Sequence, residues 1–219
     1  MAFILTLSIF FLGIYFGSSM SNFKINQIDI FERDLARNYL LYDIQNDLIG
    51  SDPCSFINST FVSQDLFNVG RRLESLEQER GKKDEDVISL KKYYTLLQVR
   101  EYIFYKRVNK ECSSDFTLNI FFYSNDPEKC GKCQDQGVIL NYVREKTEDL
   151  RTYSIDADLD MSVVNYLMQY YKVNTLPTVV INENVYNESL SYEQIKNIII
   201  ESKSALSYEN ISANNISGV

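Results

Sequence analysis

Histidine is absent from all 219 residues. That one absence removes Ser-His and Cys-His catalysis, His-ligated metal sites and imidazole proton shuttles. Tryptophan is absent as well. Positive charge is in the minority: 22 Lys and Arg stand against 30 Asp and Glu, giving a net charge of −8 and a pI of about 4.7. So acidic a chain has no electrostatic footprint for nucleic acid, and that partner class is excluded. Cysteine is scarce, with four in the chain. Charge of either sign is missing from MAFILTLSIFFLGIYFGSSMSNF, the stretch before Lys24.

What is present is apolar material. Hydrophobic residues make up 45% and aromatics 13%, with 16 Tyr and 13 Phe, which is ample for a packed core and unlike a disordered chain. The length allows one to two domains. Residues 1–23 read as a transmembrane anchor, because about 19 apolar or small residues at helical rise cover roughly 28 Å. The other reading is a cleaved signal peptide, with Gly17 and Ser19 before the cut, but there is no basic n-region. Membrane contact is expected through residues 2–20. Gly13 and Gly17 in GIYFG have the GxxxG spacing that lets two helices approach, a weak dimer contact; the alternative is two glycines of an ordinary span. Lys24, Arg33 and Arg37 follow the span and, by the positive-inside rule, put the body in the cytoplasm. Sequons at Asn58, Asn187, Asn210 and Asn215, and the cysteine pairing argued below, point the other way. A single-pass protein with an extracytoplasmic body is the expectation.

Residues 25–111 read as an α-helical module. LARNYLLYDIQNDLIG, FVSQDLFNVGRRLESLEQERG and DEDVISLKKYYTLLQVREYIFYKRVNKEC carry helical periodicity, and the last begins with acids and ends with bases. Its tyrosines, Tyr93, Tyr94, Tyr102 and Tyr105, form either core or a binding face. From residue 113 to 204 the pattern changes to strands alternating with helices. FTLNIFFYS, LRTYSIDAD, TLPTVVIN and ENVYNESL are the strands. The segments PEKCGKCQDQGVILNYVREKTEDL, MSVVNYLMQYYKV and SYEQIKNIIIESK are the helices. The order β-α-β-α-β-β-α predicts an α/β fold with a central sheet flanked by helices. Residues 205–219 read as a flexible tail.

Cys130 and Cys133 lie in EKCGKCQDQG, two residues apart at the start of a helix. Backbone N–H groups and the helix dipole stabilise a thiolate there, and Lys129 and Lys132 add to this while Asp126 and Glu128 oppose it. One helical turn separates the sulfurs. An exposed Cys130 can therefore attack a disulfide, and a shielded Cys133 can resolve the mixed disulfide. Gln134 after Cys133 excludes a CxxCH haem site.

CGKC at a strand-to-helix junction, followed by β-α-β-β-α with a proline opening TLPTVVIN, resembles the thioredoxin superfamily over about residues 115–203. The resemblance implies a thioredoxin-like fold, catalytic Cys130 and Cys133, and a cis-proline at Pro177. It implies that Leu176, Pro177 and Lys132 shape the groove for a protein substrate, with the backbone of Leu176 pairing in the manner of strand addition. Departures are plain. Lys129 stands where thioredoxin has Trp, Lys132 where it has Pro, and FFYS holds no equivalent of its buried acid. CPYC is absent, so glutathione binding is unsupported.

Cys54 and Cys112 lie at helix ends that meet if the helices pack antiparallel. A structural disulfide between them closes 58 positions, worth about 3–4 kcal/mol in the chain-entropy model. The alternatives are two free thiols in a reducing compartment, or a four-cysteine zinc site lacking the usual paired knuckles. The leading function is thiol–disulfide oxidoreductase, with protein thiol or disulfide substrates, an unidentified redox partner, no metal and no cofactor. The alternative is a membrane-tethered thioredoxin-fold binding module without redox turnover.

Overall fold

The structure, a computed structural model, describes residues 7, 10, 11, 13, 14, 47, 50, 52–57 and 63–216, with side chains as far as Ser204. It divides into two units, Met1–Asp52 and Pro53–Val219. In the first, Leu7, Phe10, Phe11 and Ile14 are helical with exposed side chains. Most of the anchor and of the helix over LARNYLLYDIQNDLIG lie outside the described residues, and so does Gly17. Among the described residues nothing stands within 4 Å of where a Cβ on Gly13 would lie. No helix among the described residues is long and apolar enough to cross a membrane.

The second unit starts with a 3-10 turn, Pro53–Phe56, and continues with α1 (Ser63–Arg80) and α2 (Glu85–Glu111). Gly81 ends α1 at φ 83°, a conformation that suits glycine, and its N–H returns to the Glu77 carbonyl. Asp84 then caps α2, accepting from the N–H groups of Asp86 and Val87. The two helices approach closely at Gly70, where a Cβ would stand 3.1 Å from the Tyr94 ring. Next come β1 (Thr117–Tyr123), α3 (Cys133–Lys146), β2 (Leu150–Asp156), α4 (Ser162–Tyr170), β3 (Thr178–Ile181), β4 (Asn184–Tyr186) and α5 (Tyr192–Ile216). The last helix therefore runs well beyond SYEQIKNIIIESK, into residues expected to be a flexible tail.

The sheet has the order β2-β1-β3-β4, with β1 parallel to β2 and antiparallel to β3. β1 is central and buried along six of its seven residues, as a strand covered on both faces must be. This order and these connections make the α/β fold thioredoxin-like. β3 turns into β4 through Asn182 and Glu183, both at positive φ, and Asn182 pairs with Leu118 through both its backbone N–H and its side-chain oxygen. The two antiparallel strands and the turn between them are the pattern of a tight hairpin.

Within this unit α2 packs directly on the sheet. The Gln98 amide donates to the Ser154 carbonyl at 2.9 Å and accepts from the Ser154 N–H at 2.7 Å. One buried side chain thus satisfies both groups of an edge-strand residue, standing in for a neighbouring strand. Tyr102 sits edge-on to Tyr153 of β2, and its hydroxyl joins Tyr171 and Glu183 in one hydrogen-bonded cluster that Lys106 closes. Burial comes first among the causes that push the Tyr102 and Tyr171 phenols up, Tyr171 to about 12. Tyr102 and Tyr105 are core, while Tyr93 and Tyr94 are half-buried.

Candidate active site

Four segments meet at the two cysteines: the end of β1, the turn 124–132, the start of α3 and the loop before β3. Asp126 builds the turn. Its carbonyl accepts the N–H groups of Lys129 and Cys130, at 3.1 and 2.9 Å, and its carboxylate accepts that of Glu128. Those N–H groups are thereby used within the turn, so α3 begins at Cys133 with Lys132 as its cap. The sequence pattern starts the helix at Pro127, six residues earlier than it begins. Cys130 precedes it, and Cys133 is its first residue.

Cys130 and Cys133 are joined in a disulfide, Cα atoms 5.4 Å apart. Both residues are buried, Cys130 at 6% exposure and Cys133 at 5%. The expected contrast between an exposed first cysteine and a shielded second is therefore not seen in this oxidised state. Both belong to an apolar cluster with Phe121, Leu140, Val179, Ile181 and Ile195, against which Tyr123, Leu176 and Tyr186 also pack. That packing is the reason: the pair sits at the top of the core, not on a projecting tip.

The Leu176–Pro177 peptide bond is cis. Pro177 is buried and Leu176 half-buried. The loop is braced from behind. Thr178 Oγ1 donates to the Thr175 carbonyl at 2.6 Å and bonds Asn187 Oδ1 at 3.0 Å, while the Thr175 hydroxyl donates to the Asn187 carbonyl. Lys132 is exposed at the rim.

Polar groups surround the dithiol turn in a way no local pattern suggests. The Ser124 N–H donates to Cys133 Sγ at 3.4 Å. The Ser124 hydroxyl donates to Asp158, whose other oxygen accepts Lys129 Nζ at 2.6 Å. The Asp158 hydrogen bond and charge raise the Lys129 ammonium above its ordinary value. Partial burial pushes the Asp158 carboxyl up, but the bonds from Lys129 and Ser124 outweigh it and hold the group below its usual range. Lys129, expected to act on Cys130, is thus committed to a carboxylate. Behind this lies Asp156, which accepts from Asn125 at 2.8 Å and pairs with Lys91 at 3.3 Å; Lys91 is 4% exposed and also pairs with Glu77 at 2.8 Å. A cavity of about 810 Å³ runs beside the turn, lined among others by Lys82, Lys83, Lys92, Asp126, Glu128 and Asp160.

Cys54 and Cys112 are joined in the second disulfide, which ties the 3-10 turn to the end of α2. All four cysteines are thus in disulfides. Among the described residues no three acidic or cysteine side chains gather as metal ligands.

No family model and no curated protein matches the chain. Several solved structures do. Chloroplastic thioredoxin z is 25% identical, with 42% of this chain and 83% of that one covered and a TM-score of 0.34. Thioredoxin-2, a component of malaria parasite protein secretion machinery, is 19% identical over 39% of this chain and 82% of that one, at 0.31. Mitochondrial thioredoxin 3 from Saccharomyces cerevisiae, in its oxidized form, is 17% identical over 44% and 88%, at 0.32.

Proposed function

We propose that the protein is a thiol–disulfide oxidoreductase that exchanges a disulfide between Cys130–Cys133 and protein substrates. The observation that carries this reading is a disulfide between two cysteines three positions apart at a strand-to-helix junction, in one cluster with the Leu176–Pro177 loop. In the reducing direction the Cys130 thiolate attacks one sulfur of a substrate disulfide. The substrate S–S bond breaks, a mixed disulfide forms and the released substrate thiolate takes up a proton. Cys133 then gives up its proton and attacks the Cys130 sulfur. The substrate leaves as a dithiol, and two electrons have passed from the protein to it. Oxidation of a substrate dithiol is the same path reversed. Leu176 and Pro177 form the wall against which an extended substrate segment lies, and exposed Lys132 stands at its edge.

The anchor over residues 2–20 places this chemistry at a membrane, with the body outside the cytoplasm, where both disulfides persist. The rival is a binding module with a static disulfide. Equilibrating the full chain in detergent with glutathione buffers, with Cys130→Ser as control, separates the two. A reversible couple is expected. A value near about −270 mV assigns a reductase and one near about −120 mV an oxidant. A pair that stays oxidised across the whole range sinks the redox reading.

A further inference from the structure

Asp158 touches both ends of the dithiol turn. One oxygen holds the ammonium of Lys129, next in sequence to Cys130, and the other accepts the hydroxyl of Ser124, whose own N–H points at Cys133 Sγ. The Ser124 hydroxyl also accepts the Asp126 N–H at 2.9 Å, so the peptide that faces Cys133 is fixed from two sides. Ser124 is 4% exposed, which keeps water from replacing these partners. Asp158 is itself oriented, because its N–H donates to Asp156 Oδ1 at 3.0 Å. A single carboxylate thus connects to a group beside each sulfur.

Resting on the oxidoreductase reading above, we propose that Asp158 is a positioning residue that sets the reactivities of Cys130 and Cys133, through Lys129 and Ser124 respectively. Two physical effects follow. An ammonium next to a thiol favours the thiolate, and a carboxylate bound to that ammonium cancels most of the field. Asp158 therefore keeps Cys130 less acidic than its lysine neighbour alone would make it. A peptide N–H aimed at sulfur also favours the thiolate, so the bond that holds the Ser124 peptide in place assists Cys133 when it must lose its proton to resolve a mixed disulfide. The other charges near the turn are Asp126, Glu128 and Lys132 on the turn itself, Asp156 at the end of β2, Asp160 beyond it, and the lysines that line the cavity. Of these, Asp126 also bonds both Lys129 and Ser124, but through its backbone carbonyl and N–H; the carboxylate that bonds both is that of Asp158.

The test uses the full chain, reduced, and follows the pH dependence of Cys130 alkylation by iodoacetamide. Asp158→Asn is expected to lower the midpoint and raise the thiolate fraction at neutral pH about threefold, the size of one unit charge acting at the protein surface. The shift should shrink as salt is raised, because the pair is exposed. Lys129→Gln, at a side chain 57% exposed and safe for folding, is expected to move the midpoint the opposite way. Ser124→Ala should leave Cys130 unchanged and slow the resolving step, seen as a longer-lived mixed disulfide. If Asp158→Asn and Lys129→Gln both alkylate as the parent does while the couple stays reversible, the positioning role is wrong and the redox reading survives. If the parent has no reversible couple, both fall.

Discussion

Cys54–Cys112 spans 58 positions and joins a short turn to the end of a 27-residue helix, whereas Cys130–Cys133 spans three and closes one turn at the start of another. Exposure runs against intuition. Cys54 is exposed and Cys112 half-buried, while the proposed reactive pair is almost wholly covered. What distinguishes the two is what each constrains. Removing the long loop from the unfolded chain is worth about 4 kcal/mol, against about 2 for the short one. The first bond acts on stability and little else. The second gives up part of that benefit but has the Ser124 N–H on Cys133 Sγ, with the Asp158 carboxylate holding Ser124 and Lys129.

The sharpest way to break this contrast is to remove a sulfur from each pair. Cys130→Ser is expected to abolish disulfide exchange, a loss of at least about a thousandfold in rate that a turbidity assay of substrate reduction reads directly. Cys133→Ser should instead accumulate a mixed disulfide at Cys130, visible by non-reducing electrophoresis. Cys54→Ser should cost about 4 kcal/mol in denaturant unfolding and leave the Cys130–Cys133 potential where it was. If the Cys54→Ser chain loses its redox couple under folding conditions, the division into a staple and a reactive pair is wrong.

Lys91 sharpens the comparison because it lies between the two regions. It is a buried lysine on α2 held by Glu77 of α1 and by Asp156 at the end of β2. Lys91→Met leaves two carboxylates without their cation in a covered site. A loss of about 3 kcal/mol is expected in chemical denaturation. Asp156 also holds Asn125, next to Ser124, so the variant should disturb the dithiol turn too. A loss of stability with no change in alkylation of Cys130 would show that the helices and the turn are energetically separate.

Lys91 also marks the limit of what the sequence discloses. The β-α-β-α-β-β-α order was legible because each strand is a short apolar run set between turn residues and amphipathic segments. CGKC and TLPTVVIN stood out as motifs because their meaning depends on spacing within a few residues. Long-range polar pairing has no such signature. Gln98 and Lys91 sit among Lys92, Arg100 and Glu101, and read locally as a solvated helix face, yet both are buried against β2. Lys129 and Asp158 are 29 positions apart, and only the return of β2 beside β1 brings them together. The late start of α3 was hidden for a related reason. Asp126 and Pro127 look like a helix entry, but the Asp126 carbonyl closes its own turn first.

The smallest expected effect concerns Glu101, which is 5% exposed and accepts from the Ser63 hydroxyl. It lines a cavity of about 750 Å³ between α1, α2 and β2 that includes no residue of the dithiol turn. Burial pushes its carboxyl up, only partly offset by Ser63 and Arg151. A carboxyl whose pKa is higher in the folded chain than in the unfolded one binds its proton more tightly when folded. Its contribution is therefore fully present below the unfolded value and is lost as pH rises through the folded value. Glu101→Gln keeps the shape and the Ser63 contact but cannot ionise. It should be more stable than the parent at neutral pH, with the gain vanishing on acidification below the carboxylate range. The potential of Cys130–Cys133 should keep the parent's pH dependence throughout, because Glu101 belongs to the helical side of the comparison. A gain that persists unchanged at low pH would show that packing, not charge, governs this site.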